Sequence, residues 1–165
     1  FCDTDFVGTD GPGGGRFEGA GSLSEAIEQT WGQGSARARP LVVFTGGEPL
    51  LQLDEPLIEA LHERGFEVAV ETNGTLEAPK GIDHLCVSPK ANAPLKLTSG
   101  QELKLVFPQA SAMPERFEGL NFERFYLQPM DSPEREANTR AAVEYCLTHP
   151  QWRLSVQTHK VVGIP

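Results

Sequence analysis

Glu48 stands behind two glycines in Thr45-Gly46-Gly47-Glu48-Pro49, directly after the apolar run Leu41-Val42-Val43-Phe44. The glycines remove side chains where a ligand could lie on the backbone, so their amides can meet a carboxylate directly. Glu48 adds an acceptor for an ammonium group. Backbone donors beside a carboxylate suit the zwitterionic head of an amino acid. Four more polar segments follow apolar runs in the same way: Glu71-Thr72-Asn73-Gly74, Ser88-Pro89-Lys90, Gln128-Pro129-Met130-Asp131 and Gln157-Thr158-His159-Lys160. Taken singly, each reads as turn chemistry, since Gly-Gly and Asn-Gly are ordinary turn formers and Asp131 could simply help a helix start. Their common placement after apolar runs is what points to a polar small molecule.

The elements that must position these segments are legible in outline. The sequence predicts strands near 41–45, 67–71, 84–88, 102–107, 124–128 and 152–157, with Leu41 to Phe44 buried on both faces. A capping box, Ser22-Leu23-Ser24-Glu25, predicts a helix over about 22–32 after a Gly-rich loop at 8–21. That loop lacks the GKS or GKT of a phosphate-binding P-loop. Asp54 caps a second helix that buries Leu57, Ile58 and Leu61 and ends at Gly65. Ser132-Pro133 opens a third, running to about Thr148. Strands interleaved with helices predict an α/β domain with a mainly parallel sheet. There are too few helices for a closed eight-fold barrel, and the link from 88 to 102 lacks one. The expectation is a partial, open (β/α) barrel. Ligands of parallel sheets bind at the carboxyl ends of the strands, so the five segments are expected on one rim.

Composition bounds the rest. The 165 residues hold 14 Lys plus Arg against 23 Asp plus Glu, a net charge of -9, which argues against nucleic-acid binding as the main task. No apolar run approaches the ~20 residues of a membrane span, and no export signal opens the chain, so the expected setting is the cytoplasm. Cys2, Cys86 and Cys146 form no CxxC pair. Cys86 and Cys146 are expected to be inert thiols in the fold. The chain begins Phe1-Cys2-Asp3-Thr4-Asp5 without an initiator Met, and it reads as a chain cut at its start.

Thr45-Gly46-Gly47-Glu48-Pro49 resembles the GGEP motif of radical S-adenosylmethionine (SAM) enzymes, with Glu71-Thr72-Asn73-Gly74 as its companion. From Cys2-Asp3-Thr4-Asp5-Phe6 to Gln157-Thr158-His159-Lys160, the whole chain resembles the 7-carboxy-7-deazaguanine synthase family of that superfamily. The resemblance implies a single radical SAM domain over 1–165 that lacks its N-terminal strand and two of three cluster cysteines. Cys2 matches the third ligand of a 4Fe–4S cluster. Thr4 matches a Mg²⁺ position, although by charge alone Asp3 and Asp5 are louder candidates. Gly46, Gly47 and Glu48 match SAM contacts, and Ser88, Pro89, Lys90, Gln128, Pro129, Met130 and Asp131 match further SAM-binding positions. Thr45, His159 and Pro165 match substrate positions. Glu71 and Asn73 are further candidates for the SAM ribose or the substrate.

The implied reaction turns 6-carboxy-5,6,7,8-tetrahydropterin into 7-carboxy-7-deazaguanine. A 5'-deoxyadenosyl radical abstracts hydrogen at C6, the ring contracts, ammonia leaves and SAM is regenerated, with Mg²⁺ on the substrate carboxylate. No side chain is assigned as the catalytic acid or base. A flavodoxin- or ferredoxin-like electron donor and a homodimer are implied partners, with neither nucleic acid nor membrane. With one cluster cysteine in place, the chain alone is expected to be inactive. Two other readings stay open at this point: an activating enzyme of the same superfamily, and a non-catalytic SAM-binding fragment.

Overall fold

The computed structural model describes residues 14–32 and 39–163. They fall into two compact units, the first holding 14–72 and 76–85, the second 73–75 and 86–163.

The first unit contains α1 (Ala20–Trp31), β1 (Leu41–Phe44), a 3-10 turn (Pro49–Leu51), α2 (Glu55–Glu63) and β2 (Glu67–Thr72). β1 and β2 run parallel, with Leu41 opposite Glu67 and Phe44 opposite Val70. Asp54 starts α2 as expected: its Oδ1 accepts the Leu57 N–H at 3.0 Å. The helix buries Leu57, Ile58 and Leu61, and Val68 and Val70 of β2 are equally sealed. The Trp31 ring meets Phe66 edge-on at 6.2 Å. Asp83 ties the start of β2 to α2, because its Oδ2 accepts the Val68 N–H at 2.8 Å and lies 2.9 Å from His62 Nε2. Partial burial pushes the Asp83 carboxyl up, but the Val68 N–H, His62 and Arg39 together hold it below the ordinary carboxylate range.

The second unit contains β4 (Ser99–Phe107), a 3-10 turn (Pro114–Arg116), β5 (Asn121–Pro129), α3 (Arg135–Thr148), β6 (Trp152–Leu154) and α4 (Thr158–Val162). It also takes in Cys86 and Val87 of β3 (His84–Val87). Its strands lie side by side in chain order and all pair in parallel: Cys86 with Glu102, Leu103 with Phe125, and Leu127 with Leu154. Leu103, Leu105, Leu127, Val87 and Trp152 are closed off from solvent. Glu118 fastens β6 by accepting the Trp152 Nε1–H at 3.1 Å. Gly74 belongs to this core. Its φ is +76°, and a Cβ there would stand 2.6 Å from Leu95 and 2.7 Å from Val87, so only glycine fits. Its carbonyl accepts the Lys96 N–H at 2.8 Å.

The α/β class, the parallel pairing and the link from β3 to β4 without a helix agree with expectation. Four local expectations are corrected. The capping box does not form. Gly19 is the N-cap of α1 without a side-chain bond, because the Ser22 and Ser24 hydroxyls donate back to the carbonyls of Gly19 and Gly21. α3 starts at Arg135 rather than at Ser132-Pro133: the Ser132 hydroxyl donates to Glu134 Oε2 at 2.8 Å and accepts the Glu134 N–H at 3.2 Å, which holds a turn ahead of the helix. β6 ends at Leu154 and residues 158–162 turn into α4, so His159 sits on a helical turn. β1 is not buried on both faces: Leu41 and Val43 are about half exposed.

Candidate functional site

In the first unit, β1 and β2 are parallel and paired, so the segments after them leave from one edge of the sheet. Thr45 is exposed at the end of β1. Gly46 follows at φ +114°, with nothing within 4 Å of where a Cβ would stand. That open backbone is the feature a ligand carboxylate could lie against. Glu48 is extended and caps the 3-10 turn: its Oε1 accepts the Leu50 N–H at 3.1 Å, and Pro49 takes the first helical position. The same oxygen accepts the Thr72 hydroxyl at 2.6 Å. Thr72 is the last residue of β2 and only 3% exposed, while Glu71 beside it points outward. A carboxylate held in this way is a fixed acceptor for a cation.

In the second unit, Ser88-Pro89-Lys90 leaves the end of β3 and Gln128-Pro129-Met130-Asp131 the end of β5. Lys90 is exposed and its Nζ donates to Ser88 Oγ at 3.1 Å. Buried Gln109 ties this segment down, accepting the Ala91 N–H and donating to the Val106 carbonyl at 2.7 Å. Met130 donates its N–H to the Phe107 carbonyl at 2.8 Å, and Asn138 of α3 donates to the Met130 carbonyl at 3.0 Å. Lys160 donates to Asp131 Oδ2 at 2.6 Å and so joins the segment after β5 to the one after β6. His159 is exposed on α4. Asn73 holds its own turn by accepting the Thr75 N–H at 2.9 Å.

No protein-family model matches the chain. Over all 165 residues it is 67% identical to a curated 7-carboxy-7-deazaguanine synthase of Caulobacter vibrioides and 64% identical to that of Bordetella pertussis, covering 78% of each. The chain belongs to the 7-carboxy-7-deazaguanine synthase family. Among solved structures it is similar to the crystal structure of QueE from Escherichia coli, with a TM-score of 0.61 and 30% identity over 81% of this chain and 63% of that one. Membership in the 7-carboxy-7-deazaguanine synthase family makes the chain a radical SAM enzyme of 7-deazapurine biosynthesis, a chemistry that uses SAM and a 4Fe–4S cluster. It sets aside the activating-enzyme reading.

The residues at the β1 and β2 ends have the chemistry to meet a zwitterionic ligand. They offer an unobstructed glycine backbone and an oriented carboxylate. Cys2, Thr4 and Pro165 lie outside the described residues. Among the described residues, no group of three or more His, Cys, Asp and Glu could hold a metal. No described helix is long and apolar enough to cross a membrane. Cys86 is buried and Cys146 half-buried, and burial pushes the Cys146 thiol up, away from the reactive thiolate.

Three side chains that hold these segments have no individual role assigned from sequence: Thr72, which stands within a candidate segment, Gln109 and Asn138. A signal existed for Thr72. Strand alternation puts it in line with Val68 and Val70, so a polar side chain falls at a buried position. None existed for Gln109 or Asn138, whose partners come from other elements.

Proposed function

We propose that the chain acts in converting 6-carboxy-5,6,7,8-tetrahydropterin to 7-carboxy-7-deazaguanine with loss of ammonia, on the route to queuosine. The observation that supports this best is the 67% identity to a curated relative over an alignment that spans all 165 residues. Gly46 and Gly47 offer backbone amides to the methionine carboxylate of SAM, and Glu48 takes its ammonium. Ser88, Pro89 and Lys90 frame the ribose and adenine together with Gln128, Pro129, Met130 and Asp131. In this reading the Lys160 partner of Asp131 keeps that carboxylate in place.

Thr45, His159 and Pro165 receive the pterin. Cys2 serves as a cluster thiolate, and Thr4 places an oxygen on Mg²⁺ beside the substrate carboxylate. When bound, SAM and the cluster supply reductive radical chemistry able to take a hydrogen atom from the substrate. The protein binds, orients and shields the reactants. A flavodoxin- or ferredoxin-like protein as electron donor, a homodimer and a cytoplasmic setting complete the reading.

The test is turnover. A full-length form of the protein that carries all its cluster cysteines, loaded with its cluster, is incubated anaerobically with the carboxytetrahydropterin, SAM, Mg²⁺ and a reductant. Formation of 7-carboxy-7-deazaguanine, followed by mass spectrometry, is the expected result. Absence of product from an enzyme shown to hold its cluster and SAM overturns the reading.

A further inference from the structure

We propose that Thr72 is the positioning residue that holds Glu48 ready for a ligand ammonium. The proposal rests on the reading that Glu48 receives the methionine ammonium of SAM. Three observations carry it. Thr72 is polar and 3% exposed, at the end of a strand whose inward positions are otherwise valine. Its hydroxyl lies 2.6 Å from Glu48 Oε1, within the range of a charge-assisted O–H···O⁻ bond. That oxygen also accepts the Leu50 N–H at 3.1 Å.

Two donors from two directions, one on the 3-10 turn and one on β2, leave the carboxylate little freedom to rotate. A glutamate otherwise spreads over many rotamers, and freezing them on binding costs affinity. A carboxylate offers about four lone-pair directions, so two donors on one oxygen do not by themselves exhaust it. Leu50 supplies a backbone donor that any residue could provide. Thr72 is the side-chain part of the arrangement, and it lies 24 residues further along the chain from Glu48. In the reaction it touches no ligand and acts through Glu48.

The experiment compares two ligands on the holoenzyme by calorimetry. SAM carries the ammonium, whereas 5'-methylthioadenosine has the same nucleoside without the amino-acid head. Thr72→Val, which keeps shape and removes the hydroxyl, is expected to weaken SAM by on the order of tenfold and leave 5'-methylthioadenosine within about twofold. Thr72→Ser keeps the donor and is expected to bind SAM nearly as the parent does. Glu48→Gln weakens SAM, and adding Thr72→Val to it causes no further loss. Thr72→Ala carries the same expectation if valine prevents folding.

A Thr72→Val protein that binds SAM normally while Glu48→Gln does not overturns the role of Thr72 and leaves that of Glu48. Equal weakening of both ligands, or full additivity with Glu48→Gln, overturns it by showing a structural effect only. Unchanged SAM affinity in Glu48→Gln removes the reading of Glu48, and Thr72 falls with it.

Discussion

β1 and the last residues of β4 both carry leucine, valine and phenylalanine but are buried to different depths. In β1, Leu41 is 47% and Val43 48% exposed. In β4 and β5, Leu103, Leu105 and Leu127 are 0% exposed. β4 has a parallel partner on each side, β3 and β5, whereas among the described residues β1 pairs with β2. An apolar groove of about 350 Å³ opens beside it, lined by Phe17, Leu23, Trp31 and Leu41 among others. Apolar residues supply the tendency to be buried, and the number of neighbours decides whether it is realised.

The strand-end loops differ in a parallel way. In the first unit a glycine turn is joined by the Thr72 hydroxyl and the Leu50 N–H, both donating to Glu48. In the second, Gln109, Asn138 and Lys160 reach in from other elements.

The sharpest test of the first contrast is a pair of truncations. Leu127→Ala is expected to cost about 2–5 kcal/mol by urea unfolding, because it empties a sealed site. Leu41→Ala is expected to cost under about 1 kcal/mol, since half of that side chain already meets water. Equal losses would show that β1 is as well covered as β4.

A second pair compares two glycines. Gly74→Ala meets both a positive φ and side chains 2.6–2.7 Å away, and about 2–4 kcal/mol of destabilisation is expected. Gly46→Ala meets the backbone penalty without a clash, so about 1–2 kcal/mol is expected, together with weaker SAM binding. Thermal and urea unfolding of both variants, with SAM titration of the second, separates crowding from backbone strain.

Asn138→Ala removes the donors to the Met130 carbonyl and to Ser132. The expected loss is about 1–2 kcal/mol in stability, with faster amide exchange around Met130. Unchanged exchange there would mean that the loop needs no tether from α3.

The smallest effect concerns acid stability. The folded-state pKa of Asp83 is depressed, so its contribution is complete above the unfolded carboxylate pKa and fades as the pH falls through the folded value. Asp83→Asn should therefore flatten the acid limb of the unfolding curve below about pH 4. Because the side chain is partly exposed, the change is expected to be small. An acid limb identical to the parent's would show that the charge of Asp83, with its Val68, His62 and Arg39 partners, contributes nothing.

The sequence by itself determined the parallel α/β class, the Asp54 cap, the missing helix between β3 and β4, and the glycine–glutamate segment after β1. Each is written in neighbouring residues through periodicity, caps and turn formers, which act over a few residues of chain. Only the tertiary structure decided that Glu48 is gripped by Thr72, 24 residues away, and that Asp131 pairs with Lys160, 29 residues away. Strand register sets such distances, and no local pattern encodes it. The half-exposed face of β1 belongs to the same class, because an apolar run states what would gain from burial and not what arrives to cover it. The starts of α1 and α3 turn instead on competition between partners that are local in sequence. There, the Ser22 and Ser24 hydroxyls donate to the carbonyls of Gly19 and Gly21, three residues back, and the Ser132 hydroxyl donates to Glu134 Oε2.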